Sequence, residues 1–310
     1  MRIALSISTL NRPDGLEAVL RSLAAQRVNL TRPDLVAVVV NNDPSDPEPQ
    51  RVAELVGRET GLAIEVHEEP VRGVAPPRNR GIGRAREIAG HDGLVGFIDD
   101  DETAPEGWLQ EMLRVKEAFE SEIVTGPVIS HFQEPPPPWV IRGGFFERPR
   151  RETGSTRPWA FTNNIIFDAN LLDRLDTWFD DSFLRLSEDR HFFQRLARSG
   201  AKITWAADAH VDELVPPNRA TAGWLVRRLR TVGRCVAPLR RDLDGPVRAN
   251  CASLAKSPVW IALGSLTTIV GVLGGPAMRV RGRSWIAYGV GLAEGVFASG
   301  SAGKPASISD

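Results

Sequence analysis

The chain reads as an α/β protein built on a mostly parallel sheet. Short apolar segments alternate with segments of helical periodicity through the first two thirds of the chain. One of them, LVAVVV at Leu35–Val40, is apolar without interruption, as in strands buried on both faces. Three polar turns, STLNR at Ser8–Arg12, NNDPSD at Asn41–Asp46 and DDDE at Asp99–Glu102, each lie just after an expected strand. In open parallel sheets ligands gather at the carboxyl ends of the strands. The three turns are therefore expected to share one site.

The elements follow in order. Arg2–Ser8 is a short apolar strand, and Leu16, Val19, Leu20 and Leu23 recur at helical spacing within Gly15–Gln26. After the strand Leu35–Val40 come a helix at Val52–Glu59, a strand at Leu62–His67 and a helix at Gly81–Ala89. Leu94–Ile98 is a strand that runs into the aspartates. Trp108–Glu120 is a helix, and Ile123–Ile129 reads as one further strand. From Gln133 to Arg157 prolines, glycines and charges show no period, so a long loop of the functional kind is expected, one that reads the acceptor. Order returns with FTNNIIF, a helical Leu171–Leu175, a helix at Glu188–Ser199 stopped by Gly200, and a last strand at Ala201–Trp205. No internal repeat is visible.

Composition sets limits. The 310 residues are 42% hydrophobic and 25% charged, an ordinary soluble balance. The net charge of −1 hides an asymmetry: Thr221–Asp310 holds 12 basic and 4 acidic residues, so this part carries +8 and the rest −9. An acidic body with a basic tail does not fit a nucleic-acid binder; it fits a cation-binding body and a tail that meets an anionic surface. Cys235 and Cys251 give neither a disulfide framework nor metal spacing, and free thiols in a reducing compartment are expected. MRIALSISTLNRPDG is not a signal peptide, which places the body in the cytosol.

Four adjacent carboxylates repel one another, so DDDE is either fully solvated or binds something positive. Asp99 and Asp101 stand at i and i+2, point the same way in an extended segment, and can share one hard divalent ion, Mg²⁺ or Mn²⁺. Glu188 and Asp189 open a helix; acidic residues there also serve plain capping. None of the five histidines belongs to a His/Cys cluster that suggests zinc.

STLNR, VVVNNDPSD at Val38–Asp46, PPRNRGI at Pro76–Ile82, FIDDDE at Phe97–Glu102, TNN at Thr162–Asn164 and SEDRHFFQRL at Ser187–Leu196 resemble, in that order, the motifs of family 2 glycosyltransferases. The resemblance covers roughly Met1–Arg234. It implies a GT-A fold, a Rossmann-like nucleotide-binding sheet flanked by helices and joined to an acceptor-binding part. The implied division is a catalytic domain at 1–220, with the nucleotide-sugar part near 1–130 and the acceptor part near 131–220, and a helical region at 221–310. Thr9 and Arg12 would sit in the first nucleotide-binding turn, Asn41 at the base, and Arg78 at the base or diphosphate. Asn41 replaces an aspartate common in the family, which leaves the base open, although a UDP-sugar is favoured as donor. Asp99 would hold the ribose or the ion, Asp101 the ion, and Asn163 and Asn164 the donor sugar or acceptor. Asp189 would be the catalytic base and Glu188 its support. Glu213 occupies the place where relatives often carry a metal-holding histidine.

Arg227, Arg228, Arg230, Arg234, Arg240 and Arg241 form a basic stretch, followed by 22 uncharged residues at Ser257–Met278. That passes the length test for a span. Arg279, Arg281 and Arg283 follow, against the positive-inside rule for a simple crossing, so helices lying in the interface or a re-entrant pair are expected, at the inner face of the cell membrane. The expected activity is inverting, metal-dependent transfer of a sugar from a nucleotide-diphosphate donor to a hydroxyl of a saccharide or lipid-linked acceptor, in cell-surface polysaccharide or glycolipid synthesis. The rivals are an inactive sugar-nucleotide-binding protein and a nucleotidyltransferase; the latter would show a Gly-rich loop with a lysine, which STLNRPDG lacks.

Overall fold

The computed structural model describes residues 1–29, 32–180 and 187–298. Contacts divide these into two compact units, one holding 1–133, 147–180 and 188–215, the other holding 134–146, 187 and 216–298.

The first unit is built on β1 (Ile3–Thr9), α1 (Pro13–Ala24), β2 (Leu35–Asn41), α2 (Glu48–Thr60), β3 (Ala63–Glu68), α3 (Ala75–Ala89) and β4 (Leu94–Ile98). After them come β5 (Glu102–Thr103), α4 (Trp108–Ala118), β6 (Ile123–Thr125) and β7 (Val128–Phe132). The later strands are β8 (Thr156–Arg157), β9 (Asn164–Asp168), β10 (Ile203–Trp205) and β11 (Val211–Val215), with α6 (Glu188–Arg198) before β10. Eight strands form one sheet in the order β3-β2-β1-β4-β9-β6-β10-β8, and β5-β11-β7 form a second.

The strands β3, β2, β1 and β4 are mutually parallel. Every residue of β2 is buried, as its unbroken apolar run requires of a strand covered on both faces. Leu16, Val19, Leu20 and Leu23 of α1 and Trp108, Leu109, Met112 and Val115 of α4 join one core cluster with Leu5, Ile7 and Val39. Phe97, Phe167, Phe192, Phe193 and Ile82 belong to the other.

The structure moves several expected elements. The segment read as one strand, Ile123–Ile129, breaks at Gly126 and Pro127, and its halves join different sheets. A Cβ at Gly126 would stand 2.0 Å from the Ala209 carbonyl oxygen, so the chain passes too close for a side chain there. The helix expected from Gly81 starts at Ala75, because Pro76 and Pro77 fit its first turn, where no N–H bond is needed. Leu171–Leu175 falls in a 3₁₀ turn, Ala169–Arg174. β11 follows the strand read as last. The loop region contains a short helix, α5 (Pro138–Arg142), and the edge strand β8.

In the second unit α7 (Ala222–Asp244), α8 (Pro246–Gly274) and α9 (Pro276–Phe297) pack side by side. Small residues allow the approach: a Cβ at Gly264 of α8 would stand 2.6 Å from the Gly282 carbonyl oxygen of α9. The uncharged run is not one helix, since α8 ends at Gly274 and Pro276 begins α9. Among the described residues, α8 alone is long and apolar enough to cross a membrane, with a mean hydropathy of 1.6 and 17% of that window buried. Val259, Leu263, Leu266, Val270 and Leu273, spaced three and four apart, are exposed. Both cysteines are free thiols.

Candidate active site

The carboxyl ends of β1 and β4 meet the start of β9. β9 runs antiparallel to β4, with Asn164 opposite Ile98. A chain entering the sheet in that direction begins where its neighbour ends, so TNN arrives beside FIDDDE.

The four acidic residues have different surroundings. Asp100 is buried, and its Oδ1 accepts from Arg12 Nη1 at 2.9 Å. The same Nη1 donates to Asp101 Oδ2 at 2.9 Å. Burial pushes the Asp100 carboxyl up, and the Arg12 charge opposes that. The turn leaves no room below it: a Cβ on Gly15 would lie 2.2 Å from the Asp100 carbonyl oxygen. Glu102 is buried; its Oε2 accepts from the Asp99 backbone N–H at 3.3 Å and its Oε1 from Asn163 Nδ2 at 3.2 Å. Burial, then the charges of Asp99 and Asp101, hold its carboxyl well above the usual carboxylate range. Glu213 of β11 stands opposite Glu102, and the Leu214 N–H donates to the Asp101 carbonyl at 3.3 Å. Glu213 Oε2 also accepts from Ser130 Oγ at 3.2 Å and lies 3.6 Å from Arg148 Nη2.

Asp99 is pushed up to about 6, by burial first, with Arg78 opposing and Asp101, Asp100 and Asp189 adding to the rise. Its side chain is still 40% open to solvent, so the negative charge of its neighbours acts where an incoming cation can reach it. Arg78 connects this turn to α6: it hydrogen-bonds Glu188 and lies 3.9 Å from Asp99 Oδ1. Glu188 is buried, and its Oε2 has no hydrogen-bond partner.

Packing fixes these distant pieces. On α3, Gly81 touches the sheet: a Cβ there would be 2.0 Å from Ser6 Oγ and 3.1 Å from Val40. Asn79 Nδ2 donates to the Phe179 carbonyl at 2.8 Å, and the Phe179 N–H donates to Asn79 Oδ1 at 3.0 Å. Arg78 is thus set at the strand ends. On α6, Phe192 stacks on Phe179 with centroids 4.5 Å apart, and Phe193 meets Phe167 of β9 edge-on at 5.6 Å. Fully burying an apolar side chain of this kind stabilises by roughly 1.5–3 kcal/mol. Glu188 and Asp189 form the first turn of that anchored helix.

The remaining expected residues divide. Thr9 is buried at the end of β1. Asn41 is buried, with Nδ2 donating to the Asp46 carbonyl at 2.9 Å and Oδ1 accepting from the Asp43 N–H at 2.9 Å, so its amide shapes its own turn. Asn163 faces Glu102. Asn164, expected with it at the sugar, is 0% exposed. Its amide donates to the Pro127 and Ala209 carbonyls at 2.9 and 2.8 Å and accepts from Trp108 Nε1 at 2.9 Å. In this structure the Asn164 side chain braces the interior of the sheet. His191 is buried in α6. The sequence reading assigned Glu102 no role of its own; the signal was present in the fourth carboxylate of FIDDDE.

Among the described residues no three His, Cys, Asp or Glu side chains converge as a ready metal cage. Asp99 and Asp101 nevertheless supply hard oxygen donors amid a surplus of negative charge. That suits an ion held by one or two carboxylates and completed by phosphates and water.

The sequence profile of "Glycosyl transferase family 2" matches residues 5–175. The succinoglycan biosynthesis protein ExoM of Rhizobium meliloti (strain 1021) is 30% identical over 244 residues, which cover 76% of each chain. Crystal structures of S. aureus TarS 1–349 share the fold, at 18% identity. One of them gives a TM-score of 0.56 over 93% of this chain and 89% of that one. The complex with UDP-GlcNAc gives 0.56 over 93% and 90%. The mixed α/β GT-A-like fold, with its central sheet flanked by helices, agrees with the sequence expectation. The chain belongs to glycosyltransferase family 2.

Proposed function

We propose that the chain is an inverting glycosyltransferase that moves a sugar from a nucleotide-diphosphate donor, a UDP-sugar by preference, to an acceptor hydroxyl in polysaccharide synthesis. The observation that carries the reading is the bridge made by Arg78, which hydrogen-bonds Glu188 and reaches Asp99, so that the ED and DDDE motifs share one site. The similarity to a succinoglycan biosynthesis protein and the fold shared with a UDP-GlcNAc complex support the acceptor and donor classes. The proposed catalytic region is 1–220.

In this reading Asp189 removes the proton from the acceptor hydroxyl as its oxygen attacks the anomeric carbon opposite the leaving diphosphate. Glu188 and Arg78 orient the first turn of α6. Thr9, Arg12 and Asn41 shape the nucleotide turn, and Arg12 passes from Asp101 to the donor's phosphates on binding. Asn163 and Glu102 hold the backbone of Asp99. Asp99 and Asp101 would hold Mg²⁺ or Mn²⁺, which when bound would neutralise charge on the departing nucleotide. Asp189→Asn is expected to lower transfer by roughly 10²–10⁴-fold while leaving donor binding intact. Loss of nucleotide binding together with activity would contradict the base role, and undiminished transfer would remove it.

The second unit supports docking at an anionic membrane surface, where a lipid-linked acceptor would be met. Flanks of a soluble helix–helix seam normally carry charges; α8 carries none from Ser257 to Gly274. That uncharged helical part is about 27 Å long at 1.5 Å per residue, short of the roughly 30 Å core. Arg279 and Arg283 are exposed just beyond it. These features favour helices in the interface. Co-sedimentation with phosphatidylglycerol vesicles, lost on Leu266→Glu with Leu273→Glu, is the expected result. Equal recovery of both proteins in the supernatant would refute it.

A further inference from the structure

Among the described residues the side chain of Arg157, on β8, makes no ion pair and no hydrogen bond, and its Nε is buried without a partner. Its guanidinium lies over the Trp159 ring at 4.8 Å and near the Trp205 ring at 5.7 Å. Burial and the neighbouring Arg151 both make its charge harder to keep. Arg190, the residue after Asp189, places its guanidinium 5.0 Å from the same Trp159 ring. Trp159 meets Phe161 edge-on at 4.8 Å, and Phe161 is 38% exposed. From Phe161 the chain runs two residues on to Asn163, which bonds Glu102.

An unpaired guanidinium over an indole, beside an open aromatic ring, is a poor structural solution in isolation. Among the described residues no carboxylate meets the Arg157 guanidinium. The cation–π contacts offset part of that cost. A saccharide supplies what is missing: the C–H face of a pyranose covers an aromatic ring, and an acidic substituent meets a guanidinium in a charge-assisted, bidentate contact. The group includes the residue after Asp189 on α6 and lies two residues before Asn163 along the chain.

We propose that Arg157, Trp159 and Phe161 form an acceptor subsite for an anionic saccharide, with Arg157 holding the acidic group and the two rings the sugar face. This rests on the glycosyltransferase reading above. The anion has two sources with one chemistry, an acidic sugar or the diphosphate of a carrier.

The test is a ligand-observed NMR titration with methyl β-glucuronide, methyl β-glucoside and inorganic pyrophosphate. It uses wild type, Arg157→Gln, Arg157→Lys and Trp159→Ala, with a thermal shift by UDP and Mn²⁺ in each sample as the control for fold and donor site. Wild type is expected to prefer glucuronide over glucoside by about tenfold, the scale of one charge-assisted hydrogen bond. The preference should vanish in Arg157→Gln, persist in part in Arg157→Lys, and give way in Trp159→Ala to weaker binding of both sugars. If pyrophosphate binds more tightly than glucuronide, and only with Arg157 present, the anion belongs to a carrier. Identical behaviour of wild type and Arg157→Gln toward all three probes overturns the subsite. A wild type that ignores UDP in the presence of Mn²⁺ instead overturns the donor reading, whatever the probes do.

Discussion

The two halves of the eight-stranded sheet were made legible by different physics. On one side β3, β2, β1 and β4 run parallel, five to seven residues long, and each of β1, β2 and β4 leads into a polar turn. On the other side β9, β6, β10 and β8 have two to five residues, and antiparallel pairs are mixed with one parallel pair. The parallel half delivers its chemistry at strand ends by topology alone. The mixed half delivers it by reversing one strand, so that Asn163 and Asn164 start where Asp99 begins its turn. The candidate site lies where the two rules meet.

The largest effect separating the halves is expected at Asn164. Asn164→Ala leaves Trp108 Nε1 and the Pro127 and Ala209 carbonyls without partners in the interior. That should cost about 3 kcal/mol in urea unfolding, at the upper end for buried groups left unpaired. Asn163→Ala, which loses one contact to Glu102, should cost under about 1 kcal/mol. Equal costs would show that the mixed half is not braced through Asn164.

A smaller effect probes the parallel half through pH. The Asp99 carboxyl rises from 3.8 to about 6 on folding. The stability it contributes is therefore full below 3.8 and lost as pH rises through about 6. A divalent ion needs the charged form and relieves the loss. Stabilisation by Mn²⁺ is thus expected to be weak near pH 5, following the Asp99 titration, and to level off above pH 7. Asp99→Asn should flatten the profile. A wild-type profile already flat across this range would place the ion elsewhere.

The same contrast explains what the sequence made readable. LVAVVV and the helical spacing of Leu16, Val19, Leu20 and Leu23 depend on burial along one element, and they appear as β2 and α1. The six motifs in order led to the family, because each marks a turn that a ligand-binding sheet edge requires. What stayed hidden depends on contacts between distant segments. Gly126 divides a single apolar run because the Ala209 carbonyl crosses it. Asn164 looks like its neighbour Asn163 in sequence, yet one is enclosed and the other faces Glu102. No periodicity distinguishes them. In the helical unit, the break at Gly275 shortens an uncharged run that composition alone reads as continuous.

The central claim is that FIDDDE seats a cation together with a nucleotide. The direct measurement is thermal stability with a panel of nucleoside diphosphates, each with and without Mn²⁺, in wild type and Asp101→Ala. At a hundredfold excess over Kd, binding to the native state stabilises by about 2.7 kcal/mol, a shift of several degrees. The account predicts that shift with one nucleotide, only with the ion, and its loss in Asp101→Ala. No shift with any nucleotide in either condition would contradict it and leave the aspartates a structural turn tied by Arg12.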